Sequence, residues 1–466
     1  MFSADRELKT ICALMTGPGS AAVAVIRLSG PDAFKIIQKS CPSLVKKKKE
    51  SHKSYLGKFF DQNNNLIDQP LITLFAKGQS YTGDETVEIS CHGSMYIVKK
   101  VIDTLIVFGA TTAEKGEFTY RAFMNDKIDL VQAEAVLSVI QSQSENSLKI
   151  SLRQLEGESS KIYRSFEDQM TWCLAHIEAS IDFSTEGLDI VDPKVLIDKL
   201  SSLKKNLNQL ISTYNQGKII KDGVKVVLAG QPNVGKSSLL NNLVLDEKAI
   251  VTHIAGTTRD VIEGETAFAG FKFKISDTAG LRETSDVVEM IGVERSKNET
   301  LKADINVFVY DLATGITPND LKILKSLTGQ VLLVGNKLDQ SLEKTITTET
   351  TKKLQEALPV NRIKGHVLVS ALDPKARDII LTKTLELLGT SQFIDNSVIS
   401  SVWQHELTSQ AAESINQVMN ELESGLGYEF VAQSLKKSLI DVQKILGKVY
   451  DDQILDRVFK EFCLGK

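Results

Sequence analysis

Apolar positions follow three different patterns along the chain. Residues 1–123 alternate short strand-like runs with a helix-like segment, which predicts a mixed α/β region. From Leu130 onward, apolar residues recur about every three to four positions, as they do on the buried face of a helix. In the first region the predicted strands are 21–28, 71–76 and 86–90, and the predicted helix is 96–108.

The helical region is predicted to be interrupted by a second α/β region. Apolar runs alternate there with helical segments, which favours a mostly parallel sheet covered on both faces. Helical periodicity returns after this region, so we interpret it as a domain inserted into a helical domain. The runs begin near Val224, Phe271, Ile305, Val331 and Val367. The helical stripes include Leu130, Ala133, Leu137 and Ile140, then Ile162, Phe166, Cys173 and Ile177.

The predicted architecture is therefore multidomain, α/β plus all-α. We expect an N-terminal α+β domain, a helical domain and an inserted Ras-like P-loop domain. The predicted bounds are 1–123 for the first domain, 124–216 for the first helical part, 217–388 for the insertion and 389–466 for the second helical part.

One stretch of the inserted region fits the phosphate-binding loop pattern G-x-x-x-x-G-K-[ST]. It occupies 230–237, between a strand-like run and a helix-like segment, as that loop requires. Main-chain N–H groups of such a loop face the phosphates, while the lysine reaches the β- and γ-phosphates and the serine hydroxyl binds Mg²⁺. The predicted contacts are Asn233, Val234, Gly235, Lys236, Ser237 and Ser238.

The sequence NKLD at 336–339 predicts that the base is guanine. Asp339 can accept from both N–H donors of guanine, whereas adenine would leave the carboxylate unpaired. Asn336, Lys337, Ser370 and Ala371 complete the predicted base site, since 370–371 follow a strand-like run. Together with the phosphate loop, this order of motifs predicts GTP as the ligand.

Two segments between these motifs are candidate switch regions. Thr258, beside Thr257, is the candidate second Mg²⁺ ligand, in a segment whose order would depend on the γ-phosphate. Asp277, followed by Thr278, Ala279 and Gly280, can hold the Mg²⁺ shell through water.

Leu281 stands where many GTPases carry a glutamine that orients the attacking water. Glu289 and Asn233 are the candidates to replace that function, Asn233 by helping to bind a monovalent cation. On residue type alone, Glu289 equally fits a solvated helix charge.

Composition narrows the setting of the protein. A net charge of −4 implies no general nucleic-acid tail, and five cysteines without a C-x-x-C pair favour neither a disulfide framework nor a zinc site. No apolar run approaches the ~18 residues of a membrane span, and the start of the chain lacks the features of a signal peptide. These features predict a cytoplasmic protein with no membrane association.

The chain resembles the MnmE (TrmE) tRNA modification GTPases over nearly its whole length. The resemblance rests on GEFTYRAFMNDK at 116–127, DLVQAE at 129–134, GTTRD at 256–260, DTAGLRE at 277–283 and the ending CLGK at 463–466.

This resemblance implies a folate-binding N-terminal domain that dimerises and a GTPase domain that needs K⁺. It implies a homodimer working on tRNA with an FAD-dependent partner of the MnmG (GidA) type, in a heterotetramer or larger complex. The product would carry an aminomethyl-type (carboxymethylaminomethyl) group at C5 of wobble uridine 34.

Residue roles are also implied by the resemblance. The K⁺ ligands would be Asn233, Thr252, Ile254 and Thr257, and the Mg²⁺ ligands Ser237 and Thr258. Glu289 falls on the catalytic glutamate, and Lys236 acts on the phosphates. The 5-formyltetrahydrofolate contacts would be Arg27, Glu88, Lys127 and Lys466, with Cys463 beside the one-carbon unit. Two other readings stay open: a GTP-dependent regulatory switch or scaffold, and a one-carbon carrier with a vestigial GTPase domain.

Overall fold

The computed structural model describes residues 9–44, 50–183, 192–244, 263–277, 300–340, 362–390, 398–462 and 465. The chain forms two compact units, one of 1–141, 151–211 and 402–466, the other of 142–150 and 212–401. The domain bounds given above stay a prediction.

The strands are β1 (Ile11–Leu14), β2 (Ala21–Ser29), β3 (Lys53–Leu56), β4 (Phe59–Phe60), β5 (Leu66–Asp68), β6 (Leu71–Phe75), β7 (Thr86–Gly93), β8 (Thr111–Thr112), β9 (Val224–Ala229), β10 (Glu263–Phe268), β11 (Phe271–Asp277), β12 (Ile305–Asp311), β13 (Val331–Asn336) and β14 (Ile363–Leu368). The helices are α1 (Ala33–Ser40), α2 (Met95–Val107), α3 (Glu117–Met124), α4 (Leu130–Gln141), α5 (Glu145–Leu155), α6 (Glu158–Asp182), α7 (Pro193–Ser212), α8 (Tyr214–Asp222), α9 (Lys236–Val244), α10 (Pro318–Ser326), α11 (Lys375–Leu387), α12 (Val402–Glu423), α13 (Tyr428–Ile445) and α14 (Asp452–Lys460).

The first unit contains a six-stranded sheet of order β3-β6-β7-β2-β1-β8. Alternate side chains of its strands face opposite sides, because successive residues of a strand alternate. One face packs in a core with α1 and α2. On the other face, Phe118 of α3 packs against Ile11 and Ala13 of β1. Arg27 of β2 and Glu88 of β7 are register partners on this second face.

The helices of the first unit correct two predicted core positions. Ile140 is 46% exposed because it lies in the last turn of α4, which ends at Gln141. On α6 the buried stripe runs through Tyr163 rather than Ile162, which is only half-buried. The Tyr163 hydroxyl lies 3.0 Å from Oγ1 of Thr408 on α12, so its burial leaves the hydroxyl paired.

The second unit contains a six-stranded sheet of order β10-β11-β9-β12-β13-β14, in which β10 and β11 are antiparallel and the other neighbours parallel. Apolar residues of α9 and α11 cover one face, and those of α10 cover the other. The prediction of a mostly parallel sheet covered on both faces is therefore confirmed. The polar ends of β11, β12 and β13, at Asp277, Asp311 and Asn336, meet at one edge, where such sheets bind ligands.

Among the described residues, no helix is both long and apolar enough to span a membrane.

Candidate functional site

The loop between β9 and α9 forms a main-chain cradle at the carboxyl edge of the second unit's sheet. Asn233 and Gly235 have φ angles of 64° and 95°. A loop in which left-handed residues alternate with right-handed ones turns its N–H groups toward one concave surface. Helix α9 begins at Lys236, directly after this turn, so its N-terminal dipole adds positive potential. The cradle therefore fits the phosphates of a nucleotide.

Lys236 places its ammonium inside the cradle. The residue is 5% exposed, and its Nζ donates to the main-chain oxygens of Gly230 at 3.0 Å and Gln231 at 2.7 Å. These two acceptors are neutral carbonyls, so an anionic phosphate oxygen would accept a stronger hydrogen bond from the same ammonium. Lys236 is thus held at the loop by main-chain carbonyls, and its role on the phosphates stays a prediction.

Ser237 and Asp277 bring two oxygen ligands together. The Ser237 hydroxyl donates to Oδ2 of Asp277 at 3.3 Å, and Asp277 is 3% exposed at the end of β11. Mg²⁺ prefers hard oxygen ligands and keeps several waters, so a hydroxyl and a carboxylate leave its other positions to water and phosphate. This donor set fits the predicted Mg²⁺ site.

Asn336 ties the phosphate cradle to the predicted base site. The residue is 1% exposed. Its Nδ2 donates to the carbonyl oxygen of Val234 at 2.8 Å, and its Oδ1 accepts from the N–H of Ala371 at 2.8 Å. Both hydrogen bonds are buried, and the amide nitrogen and oxygen of Asn336 each have a partner. The side chain therefore sets the spacing between the cradle and the 370–373 loop.

Asp339, the carboxylate predicted to read the base, lies beside that loop. A hydrogen bond with the Ser370 hydroxyl, the largest cause, lowers the pKa of Asp339 below its ordinary value. The carboxylate is therefore ionised at neutral pH and accepts N–H donors. Asp339 and Ser370 line a cavity of about 600 Å³, a size that accommodates a small ligand. The remaining lining residues are Leu338, Leu368, Val369, Leu372, Asp373, Ala376 and Ile379.

Asp311 is a site residue that the sequence reasoning missed. Its Oδ2 lies 2.7 Å from Nζ of Lys337, which has a φ angle of 63°. The ion pair fixes the lysine stem beside the base site. Its signal in the sequence is its place at the end of the apolar run 305–310, since the carboxyl ends of parallel strands share one edge.

Several predicted site residues lie outside the described residues, and their roles stay predictions. They are Thr252, Ile254, Thr257, Thr258, Thr278, Ala279, Gly280, Glu289, Cys463 and Lys466.

In the first unit, Arg27 and Glu88 form an ion pair on the second face of the sheet. Arg27 is 7% exposed, and its Nε and Nη2 donate to Oε1 of Glu88 at 3.2 and 2.8 Å. The guanidinium lies 5.1 Å from the ring centroid of Tyr81 and 5.5 Å from that of Phe118. Nη1 of Arg27 is buried without a hydrogen-bond partner among the described residues. A buried unpaired donor is costly, so this guanidinium could accommodate an added acceptor.

The other two predicted folate contacts are placed differently. Lys127 is exposed, and its Nζ donates to the carbonyl oxygen of Gly78 at 2.7 Å. This bond joins the end of α3 to the 76–85 loop, which also carries Tyr81. Near the other end of the chain, Gly465 approaches β1 so closely that an added Cβ would lie 2.1 Å from the carbonyl oxygen of Leu14. The described part of the tail therefore reaches the N-terminal sheet.

Two family models together match most of the chain. The model described as the GTP-binding protein TrmE N-terminus matches residues 10–127, and the model of the MnmE helical domain matches residues 130–463.

Curated relatives match the chain over its full length. A tRNA modification GTPase MnmE from Bdellovibrio bacteriovorus is 44% identical, with 100% of this chain and 99% of the relative covered. The protein of the same name from Enterococcus faecalis is 37% identical, with 100% of each covered.

Solved structures match part of the chain. A point variant of Aquifex aeolicus Era bound to GDP.AlF4- is 26% identical over 41% of this chain and 66% of that chain, with a TM-score of 0.29. The G domain of the T. maritima FeoB iron transporter is 29% identical over 35% of this chain and 98% of that chain, with a TM-score of 0.25. With the helical-domain model matched from residue 130 to 463 and full-length relatives at 37% and 44% identity, the chain belongs to the MnmE (TrmE) family of tRNA modification GTPases.

Proposed function

We propose that this protein is a K⁺-dependent GTPase that couples hydrolysis to modification of wobble uridine 34 in certain tRNAs. It acts with an FAD-dependent partner to install an aminomethyl-type group at C5. The observation that supports the proposal is the presence of two polar arrangements in one chain. One is the loop around Lys236 with the buried Asn336 bonds, and the other is the ion pair of buried Arg27 with Glu88.

The proposed K⁺ dependence rests on Asn233 and Leu281. Leu281 has no group that orients water, and Asn233 is an exposed amide at a φ angle of 64° within the cradle. When bound, K⁺ supplies positive charge beside the phosphates, a contribution worth about 10³–10⁵ in rate when an arginine supplies it. We expect turnover in K⁺ to exceed turnover in Na⁺ by at least about tenfold, and Asn233→Ala to remove the difference.

Rb⁺, which is close to K⁺ in size, serves as the control and should support turnover. Equal turnover in K⁺ and Na⁺ would remove the K⁺ site from the proposal. Within the same assay, Glu289→Ala should lower kcat strongly with GTP affinity retained, because a water-orienting group acts mainly in the transition state.

Arg27 and Glu88 are proposed to form part of a pocket that binds 5-formyltetrahydrofolate. Oε1 of Glu88 accepts both Arg27 bonds, so Oε2 is directed to pterin N–H donors in this proposal. Nη1 of Arg27 donates to an acceptor of the ligand, and the aromatic rings of Tyr81 and Phe118 border the pterin. In this proposal, Lys127 and Lys466 would attract its glutamate carboxylates, and Cys463 would act beside the one-carbon unit.

Calorimetry with Arg27→Gln tests this site. We expect the variant to lose measurable binding of 5-formyltetrahydrofolate, since a hydrogen-bonded charge inside a buried pocket is removed. Arg164→Gln is the matched control, because Arg164 pairs with Asp129 on the surface with its side chain 55% exposed. Undiminished binding by Arg27→Gln would refute the assignment. Deletion of 464–466 tests the contribution of the tail in the same titration.

The protein is further proposed to be a cytoplasmic homodimer formed through the first unit. Exposed Val23, Leu56 and Leu71 lie on the same sheet face as Arg27 and Glu88. Their exposed fractions are 53%, 69% and 45%, which favours burial against a partner. Light scattering on Leu56→Lys with Leu71→Lys should give a monomer, whereas an unchanged mass would contradict this interface.

Nucleoside analysis distinguishes modification from the alternative of a GTP-dependent switch or scaffold. Transfer RNA from a strain lacking this protein should lack the C5 aminomethyl-type uridine. Intact modification in that strain would favour the switch.

A further inference from the structure

Helix α9, which begins at the phosphate cradle, carries a side chain that contacts the loop at the predicted base site. Asn242 lies about two turns after the start of α9 at Lys236. Its Nδ2 donates to the carbonyl oxygen of Ala371 at 3.0 Å and to that of Asp373 at 2.9 Å. These carbonyls flank Leu372, which lines the base cavity with Asp339 and Ser370.

The loop of residues 370–373 is thereby held through both main-chain groups of one residue. The N–H of Ala371 donates to Oδ1 of Asn336, and its carbonyl accepts from Asn242. Leu372 at the tip is 77% exposed, so its side chain contributes little packing to hold the loop. Two amides, one from β13 and one from α9, therefore determine how far the loop lies from the cradle.

The Asn242 amide contacts the loop through its N–H donors and not through its oxygen. Oδ1 of Asn242 is buried and accepts no hydrogen bond among the described residues. A buried acceptor without a partner costs free energy. The two hydrogen bonds that Nδ2 donates to the loop offset that cost. The preceding residue, Asn241, is exposed.

We propose that Asn242 is a positioning residue for guanine recognition. By fixing the carbonyls of Ala371 and Asp373, it places Ser370 against the Asp339 carboxylate; the inference rests on the proposed role of Asp339 in reading the base. In this role Asn242 contacts neither the nucleotide nor the reacting atoms. Its loss should therefore weaken affinity for the base and leave the cleavage step unchanged.

Nucleotide affinity of the full-length protein tests the proposal. We expect Asn242→Ala to weaken GDP binding about tenfold, since two hydrogen bonds are lost. IDP, which lacks the 2-amino group that Asp339 reads, should lose less affinity, so the discrimination between GDP and IDP should fall. At saturating GTP, kcat should stay within about twofold of the original value.

Two further variants control for folding and volume. Asn241→Ala makes the same replacement one position earlier on α9 and should leave GDP affinity unchanged. Asn242→Asp keeps the shape but sets an acceptor against two carbonyl oxygens, so it should weaken GDP at least as much as Asn242→Ala. The proposal can be tested with either Asn242→Ala or Asn242→Asp, whichever thermal melting shows to be folded. GDP affinity within about twofold of the original, or equal losses for GDP and IDP, would overturn the proposal.

Discussion

Replacing Asn336 by alanine should separate nucleotide binding from general stability. The change leaves two buried groups unpaired, the carbonyl of Val234 and the N–H of Ala371. Each such loss costs about 1–3 kcal/mol. If about 2–4 kcal/mol of this cost is lost from the free energy of GDP binding, GDP affinity drops by about 30- to 1000-fold. The reason is that the cradle and the base loop lose their fixed spacing.

Asn306 provides the matched control. It is 0% exposed, and its Nδ2 donates to the carbonyl oxygens of Thr328 at 2.6 Å and Thr300 at 3.4 Å. It lies at the beginning of β12, whereas the nucleotide site lies at the carboxyl edge of the sheet. Asn306→Ala should lower the urea midpoint about as much as Asn336→Ala.

Calorimetry with GDP then gives the decisive comparison. Asn306→Ala should bind GDP nearly as tightly as the original protein, and Asn336→Ala should not. Equal losses of affinity in the two variants would refute the view that Asn336 acts by spacing the site.

Three further predictions follow from individual residues. Asp339→Asn should shift the preference from GTP toward xanthosine triphosphate, because an amide can donate to O2 of xanthine; unchanged GTP affinity by calorimetry would contradict the base reader. Gly235→Ala should lower the urea midpoint more than Gly315→Ala, since both glycines have positive φ but only at Gly235 does an added Cβ meet Asn336 within 2.2 Å. Burial lowers the pKa of His366 from 6.5 to about 4. The unfolded chain then binds the proton first, so stability should fall between pH 6.5 and about 4 by at most about 3 kcal/mol. The urea midpoint of His366→Phe should not fall over this pH range. Identical pH profiles of the urea midpoint for this variant and the original protein would contradict the prediction.

The second unit's site could be predicted from sequence because its contacts are built from local motifs at strand ends. Lys236 and Ser237 begin the helix that follows the loop after β9, and Asp277 and Asn336 each end a strand. Parallel strands carry all such ends to one edge. Asn242 escaped this reasoning, since its partners lie 129 and 131 residues away and no strand-end rule points to a helix residue.

The first unit was harder to predict. Arg27 and Glu88 were identified through the family resemblance, because composition gives that region no function. Tyr81 and Phe118 were not identified, since cation–π contacts depend on how α3 and the 76–85 loop fold over the sheet. Ile140 was predicted to be buried because it continues the helical spacing of apolar residues. It is exposed because it lies beyond the packed part of α4.

The central claim is that the GTP site drives tRNA modification. The most direct test is nucleoside analysis of tRNA from a strain whose only copy of this protein carries Lys236→Ala. The ammonium of Lys236 is the cation held inside the phosphate cradle, so its loss removes hydrolysis while the Arg27 pocket stays intact. We predict that the C5 aminomethyl-type uridine is absent from this tRNA and restored by the original sequence. Full modification with Lys236→Ala would contradict the claim.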